Sequence, residues 1–258
     1  MVDLQVFMRF GEMGVFRFKK FEVVNERSAM KVNTDGVLLG ASMTIHPSDR
    51  NLLDVGTGTG TIALMAAQRL DDACSDGKDE ICVHAIDIDE ASATEAAANF
   101  SNSPWTEMLH AFHMPLDEYE DIEDGRRYDL IFSNPPYFED SLNAPELRRN
   151  NARHTSTGLS YREILDFAAA RLSDGGRVAF VLPAETEVAL CRHARMDGLH
   201  LSKIVRIKTV PRKEPSRIVA EFSRMRSESV KDTVLTIQNE GKYTEEYLSL
   251  MRDFYLFA

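Results

Sequence analysis

Asp54-Val55-Gly56-Thr57-Gly58-Thr59-Gly60 closes one apolar run, Asn51-Leu52-Leu53-Asp54-Val55, and opens an amphipathic one over residues 61–70. Three alternate glycines between a buried strand and a helix leave few folds open. The backbone must turn sharply there and come close to a ligand, which glycine permits. The same rhythm continues along the chain. Strands are expected at 81–87, 108–112, 128–133 and 177–182, with helices over 90–100, 161–172 and 184–196. Strands that alternate with helices form a mainly parallel sheet covered on both faces. Two further strands, 201–210 and 217–224, have only a Pro-bounded loop between them, so that pair should be antiparallel. Asp174-Gly175-Gly176 reads as a turn, 15–18 and 21–25 as a hairpin, and Thr34-Asp35 as the cap of a helix through Ala41. Residues 233–237 read as a weak further strand and 245–254 as a terminal helix. The expected organisation is one domain over residues 31–230, preceded by a lead-in at 1–30 and extended by 231–258.

The chain has 258 residues, 43% of them hydrophobic, which is enough for a full core. Its three cysteines, Cys74, Cys82 and Cys191, form no CxxC or Cys/His ligand spacing, so neither a zinc site nor a disulfide framework is expected. A metal role for His110 and His113 is likewise not expected, because nothing nearby completes a site. No apolar run approaches membrane-spanning length, and residues 1–14 lack a signal-like pattern. A soluble intracellular protein with reduced thiols is the expectation. A net charge of −11 argues against a general nucleic-acid coat. Base is nonetheless concentrated at Arg148, Arg149 and Arg153 and across the C-terminal third, so a basic rim and an acidic back are expected.

A second motif, Asn134-Pro135-Pro136-Tyr137, follows the strand at 128–133. The Asn134 side-chain oxygen and the Pro135 carbonyl are both acceptors, suited to the two protons of a planar NH2 group. The prolines keep the chain out of a helix, and the Tyr137 ring offers a stacking face. A proline-rich turn with an incidental tyrosine is the bland alternative. Upstream, a glycine turn at a helix N-terminus often holds a pyrophosphate. Here Asp54 beside the glycines would repel a pyrophosphate and suits an ammonium group, which favours S-adenosylmethionine over a dinucleotide. Gly56, Gly58 and Gly60 would approach it. Asp87 at the end of the next strand would take its ribose hydroxyls, with Ile88 beside it. Asp89 reads instead as the cap of the helix at 90.

The order DVGTGTG, AIDID, NPPY resembles the class I S-adenosylmethionine-dependent methyltransferases that alkylate an amino nitrogen. More narrowly, Phe18-Lys19-Lys20-Phe21, the run from Ala29 to Gly40, Asn102-Ser103-Pro104-Trp105, Ala152-Arg153-His154, Gly241-Lys242-Tyr243-Thr244 and Asp253-Phe254-Tyr255 resemble the bacterial tRNA adenine-N6 methyltransferases. That family modifies the adenine just 3′ of the anticodon of a valine tRNA. The resemblance implies an α/β Rossmann-like fold with a seven-stranded, mainly parallel sheet, an antiparallel last strand and helices on both faces. It implies that Lys31, Thr34, Asp35 and Gly36 line the donor pocket, and that catalysis rests on Asn134, Pro135, Pro136 and Tyr137. Family enzymes often bind the donor adenine through an acid after the third strand. Here that place holds His113, with Asp117 as a substitute. The anticodon loop of a tRNA is the expected partner, held by Phe138, Arg148, Arg149, Arg153, His154, Arg212, Lys213 and Arg217. A cytoplasmic monomer with no metal and no membrane contact is expected. The alternatives are a protein glutamine N5-methyltransferase and an rRNA guanine N2-methyltransferase.

Overall fold

The computed structural model describes residues 14–74, 80–122, 125–136 and 159–258. A hairpin of β1 (Val15–Arg17) and β2 (Glu22–Val24) leads to α1 (Thr34–Ser42). Then come β3 (Asn51–Val55), α2 (Thr61–Ala73), β4 (Cys82–Asp87), α3 (Glu90–Ser101), β5 (Leu109–His113), α4 (Leu116–Ile122) and β6 (Tyr128–Ser133). The second half holds α5 (Tyr161–Arg171), β7 (Leu172–Pro183), α6 (Glu187–Met196), β8 (His200–Lys208), β9 (Arg217–Ser223) and β10 (Lys231–Thr236). A small hairpin, β11 (Gln238–Asn239) with β12 (Lys242–Tyr243), precedes α7 (Glu245–Met251).

The main sheet runs β10-β8-β9-β7-β6-β3-β4-β5. β9 is antiparallel to both neighbours, as the missing crossover helix predicts, and every other pairing is parallel. The sheet has eight strands where the resemblance implied seven. The eighth is β10, at the place of the weak strand expected over 233–237, paired with β8 at an edge. Only Leu235 of its six residues is buried, so its apolar signal is faint. Asp174-Gly175-Gly176 is a bulge within β7 rather than a free turn. Tyr128 faces Leu172, but Leu130 faces Arg177. α4 was not foreseen, because its acidic sequence buries only Tyr119 and shows no apolar stripe. α1 is capped one residue earlier than expected, by Asn33 Oδ1 accepting from the Gly36 amide at 2.8 Å.

Period-two strands feed two apolar layers. Leu52, Leu130 and Phe132 face one, with Val37 of α1, Leu64 of α2 and Phe100 of α3. Leu53, Val55 and Ile131 face the other, with Ile164 of α5 and Leu190 of α6. Trp105 is a packing anchor, edge-on to Phe21 and bonded through Nε1 to Asp71 at 3.2 Å. At the amino edge of the sheet, buried Arg177 pairs with buried Asp49 and also donates to the carbonyls of Thr44 and Asp129. Among the described residues no helix is long and apolar enough to cross a membrane.

Gly60 joins turn to helix at φ +80, and a Cβ built there would lie 2.5 Å from Cε1 of Phe100. That ring is itself buried and cannot retreat. Gly60→Ala therefore combines left-handed strain with overpacking and should cost about 2–5 kcal/mol. Urea unfolding checks this, and an unchanged midpoint would refute it.

Candidate active site

Strand register brings the two motifs together. Val55 lies opposite Ile86, and Asp54 opposite Phe132. Gly56, Asp87 and Asn134 therefore leave β3, β4 and β6 at one level of the carboxyl rim. With strands spaced about 4.8 Å apart, the three positions span about 10 Å. Ser133 Oγ donates to the Val55 carbonyl at 2.6 Å and locks β6 to β3 just below that level.

The glycine turn is held from beneath. The amides of Gly56 and Thr57 both donate to the Ile86 carbonyl. Gly58 N–H donates to Asp87 Oδ2 at 2.8 Å, and Asp89 N–H to Asp87 Oδ1 at 2.9 Å. Gly56 itself is exposed, at φ +73, with open space where a Cβ would stand. A ligand can thus lie directly on its backbone. Ile88, beside Asp87, is a large apolar side chain left 69% exposed. Asp89 caps α3 by accepting from Ser92 N and Oγ, as its sequence position suggested, and those bonds hold its carboxyl below the usual range.

Asp54 is wholly buried under the turn. Thr57 Oγ1 donates to its Oδ2 at 2.7 Å. The Ala63 amide also favours its charged form. Oδ1 has no partner of hydrogen-bonding geometry among the described residues. Burial dominates, with some repulsion from Asp87, and pushes the carboxyl up to about 7. The folded chain therefore binds this proton more tightly than the unfolded chain does. Stability from this group is complete below about pH 4 and is lost as pH rises towards 7. At about 1.4 kcal/mol per unit the loss is about 4 kcal/mol. Asp54→Asn should flatten the decline in unfolding free energy between about pH 4 and 7, and an equal slope in both proteins would contradict this. Asp87 is also raised, chiefly by burial and less by Asp89; the amides of Asp89 and Gly58 and the nearby His113 oppose the shift.

The lead-in crosses this site. A Cβ on Gly58 would lie 3.4 Å from the Met30 carbonyl and 3.5 Å from Ser28 Oγ. Asn134 Nδ2 lies 3.5 Å from Met30 Sδ, in donor geometry. One segment therefore touches both motifs. Ser28, Glu95 and Asn99 were not singled out by the sequence, and Met30 only as part of the run from Ala29 to Gly40. The one signal that could have found them is a lone glutamate within the alanine-rich helix.

The remaining candidates divide. Lys31 is exposed and donates to the Glu26 carbonyl at 2.6 Å. Thr34 opens α1 half-buried, and Gly36 packs near Ile62 of α2. Asp35 pairs with Arg217 at 2.8 Å, which ties α1 to β9 at the rim and engages an arginine assigned to RNA. His113 Nε2 sits 3.1 Å from the Ile88 carbonyl, next to the Asp87 end of the site. Asp117 is exposed on the first turn of α4. Arg212 and Lys213 are exposed in the loop after β8, which leaves the sheet at the same rim. Much of the remaining C-terminal base is structural: Lys203 pairs with Glu221, and Arg206 with Glu187 and Asp232. Pro135 and Pro136 follow Asn134 at the rim. Tyr137, Phe138, Arg148, Arg149, Arg153 and His154 lie outside the described residues.

Comparison with known proteins agrees with this geometry. The family model of the methyltransferase small domain matches residues 27–191. A tRNA1(Val) (adenine(37)-N6)-methyltransferase of Bacteroides fragilis is 39% identical over 93% of this chain and 97% of its own. Its namesake from Parabacteroides distasonis is 41% identical over the same shares. Among solved structures, a predicted O-methyltransferase from Agrobacterium tumefaciens superposes with a TM-score of 0.59 at 14% identity, over 84% of this chain and 95% of that one. At that identity the likeness speaks for the fold alone.

Proposed function

We infer the function from one premise: this chain carries the methyltransferase small domain and belongs to the tRNA1(Val) (adenine(37)-N6)-methyltransferases. It methylates N6 of an adenine in tRNA, at position 37 of the anticodon loop of a valine tRNA, with S-adenosylmethionine as donor. The observation that carries this reading is the segment at 28–30, which touches Gly58 on one side and Asn134 on the other. Donor and acceptor motifs thereby share one rim. The substrate places the reaction in the cytoplasm.

The site's chemistry fits the donor. Gly56 offers open backbone, and Asp87 presents a carboxylate already fixed by two amides. Ile88 adds an apolar face, with His113 beside it. Asp54 lies under the turn with one oxygen unpartnered, and a cationic ligand above the turn would favour its charged form. When bound, S-adenosylmethionine supplies an electrophilic methyl group. Asn134 Oδ1 and the Pro135 carbonyl accept hydrogen bonds from the two N–H groups of the adenine amine. That favours a pyramidal nitrogen, whose lone pair is otherwise drawn into the ring. The methylated nitrogen, strongly acidic, then loses one proton to solvent. Tyr137 stacks on the base, and Phe138 walls it. Positioning of this kind can supply several kcal/mol, within the ~7–11 kcal/mol available from orientation. The base must leave its stack to enter, and a loop nucleotide does so at less cost than a paired one.

Arg212 and Lys213, with Arg148, Arg149 and Arg153, bind phosphates around that loop. Reversing the charge of Arg212 and Lys213 together should weaken tRNA binding and reduce the salt slope by about 1.4–1.8, at roughly 0.7–0.9 per phosphate. Filter binding across a salt series measures it, and an unchanged slope removes both residues from the interface. The whole reading is tested by transfer of labelled methyl from S-adenosylmethionine into total tRNA, followed by nucleoside analysis. N6-methyladenosine is expected. Label in N2-methylguanosine, or only in protein glutamine, would overturn it.

A further inference from the structure

Glu95 stands on α3 and is 4% exposed, yet it makes no ion pair among the described residues. Instead it receives three successive backbone amides. Oε1 accepts from Glu26 N at 2.7 Å and Arg27 N at 2.8 Å, and Oε2 from Ser28 N at 2.9 Å. Converging amides of this kind form a concavity for an anion, and here the anion is supplied by the chain itself. Two neighbours on the same helix extend the grip. Ser92 Oγ meets Ser28 Oγ at 3.0 Å. Asn99 exchanges hydrogen bonds with Val24 N and O and also donates to Thr59 O, inside the glycine turn, at 2.9 Å. α3 thus holds the lead-in strap and the turn together. Beyond the strap's anchor, residues 28–30 pass over Gly58, and the Met30 thioether meets Asn134.

We propose that Glu95 is a positioning residue for methyl transfer, fixing the strap at 26–30 so that it covers the donor turn and sets the Asn134 carboxamide. The inference rests on the functional reading above. Asn134 Nδ2 donates to Met30 Sδ, so the strap bears directly on the carboxamide assigned to the acceptor amine. Charge-assisted bonds from three amides define the strap's position more tightly than a neutral acceptor would. A displacement of about 1 Å in such a frame can cost about 100-fold in rate.

Two variants of the full chain test this. Glu95→Gln keeps length and volume but sets an NH2 against one of the three amides. Calorimetry with S-adenosylmethionine should give a dissociation constant raised at least ten-fold, and steady-state transfer to tRNA a KM for the donor raised in step. Met30→Leu keeps the packing and removes the sulfur acceptor from a partly exposed side chain. It should lower kcat at least five-fold with donor affinity within two-fold of wild type. A merely structural Glu95 would lower the unfolding midpoint without this division between donor affinity and turnover. Should Glu95→Gln not fold, Met30→Leu decides: a lowered kcat supports the strap, and an unchanged one overturns it. A folded Glu95→Gln that binds and turns over like an active wild type overturns the inference alone. A wild type that binds no S-adenosylmethionine overturns the functional reading and this inference with it.

Discussion

Asn134→Ala should lower methyl transfer by about 10²–10³-fold while leaving S-adenosylmethionine affinity within a few-fold of wild type. The side chain is 7% exposed at the carboxyl end of β6, in a frame that Ser133 locks to β3. It does not support the glycine turn, whose amides are bound by Ile86 and Asp87. Removing it should therefore leave donor binding nearly intact. What should be lost is one of the two acceptors proposed for the amine. A preorganised hydrogen-bonding group at the reacting centre is worth about 10²–10³ in rate when deleted. Single-turnover transfer of labelled methyl to tRNA, with calorimetry on the same protein, separates the two effects. Turnover within five-fold of wild type would show that the amine is held elsewhere.

Asp87→Ala should act on the other half, raising the dissociation constant for S-adenosylmethionine by about 100-fold. Its carboxylate has two structural tasks, on Gly58 N–H and Asp89 N–H, besides the ribose hydroxyls assigned to it. Leaving an amide without its acceptor costs about 1–3 kcal/mol where water cannot replace it. The turn would loosen, and the ligand would lose charge-assisted bonds as well. Calorimetry gives the result directly. Unchanged affinity would remove Asp87 from the donor site and leave it as a support of the turn.

The sequence carries this site unevenly. Gly56, Asp87 and Asn134 stand at the ends of strands whose apolar runs are unmistakable, and a parallel sheet brings strand ends to one rim by construction. Their convergence was therefore legible before any register was known. α4 was not legible, because it buries a single side chain and periodicity needs several; β10, which also buries only one, gave no more than the weak strand signal at 233–237. The strap was hidden for another reason. It is held by backbone amides, which every sequence possesses, and by Glu95, Ser92 and Asn99 on a helix whose alanines dominate its pattern. Arg217 shows another limit. It was read as ready for RNA, and its guanidinium also has an internal partner in Asp35. Charge read from sequence gives its sign and place but not its internal partner. The same holds for Lys203 and Arg206, whose carboxylate partners come from other elements.

A crystal structure of the chain with S-adenosylhomocysteine bound tests the shared rim most directly. The ribose hydroxyls should lie on Asp87, the amino-acid moiety over Gly56, and the sulfur should face Asn134 beside the 28–30 strap. A ligand seated in a cavity that Asn134 does not line would contradict the shared rim.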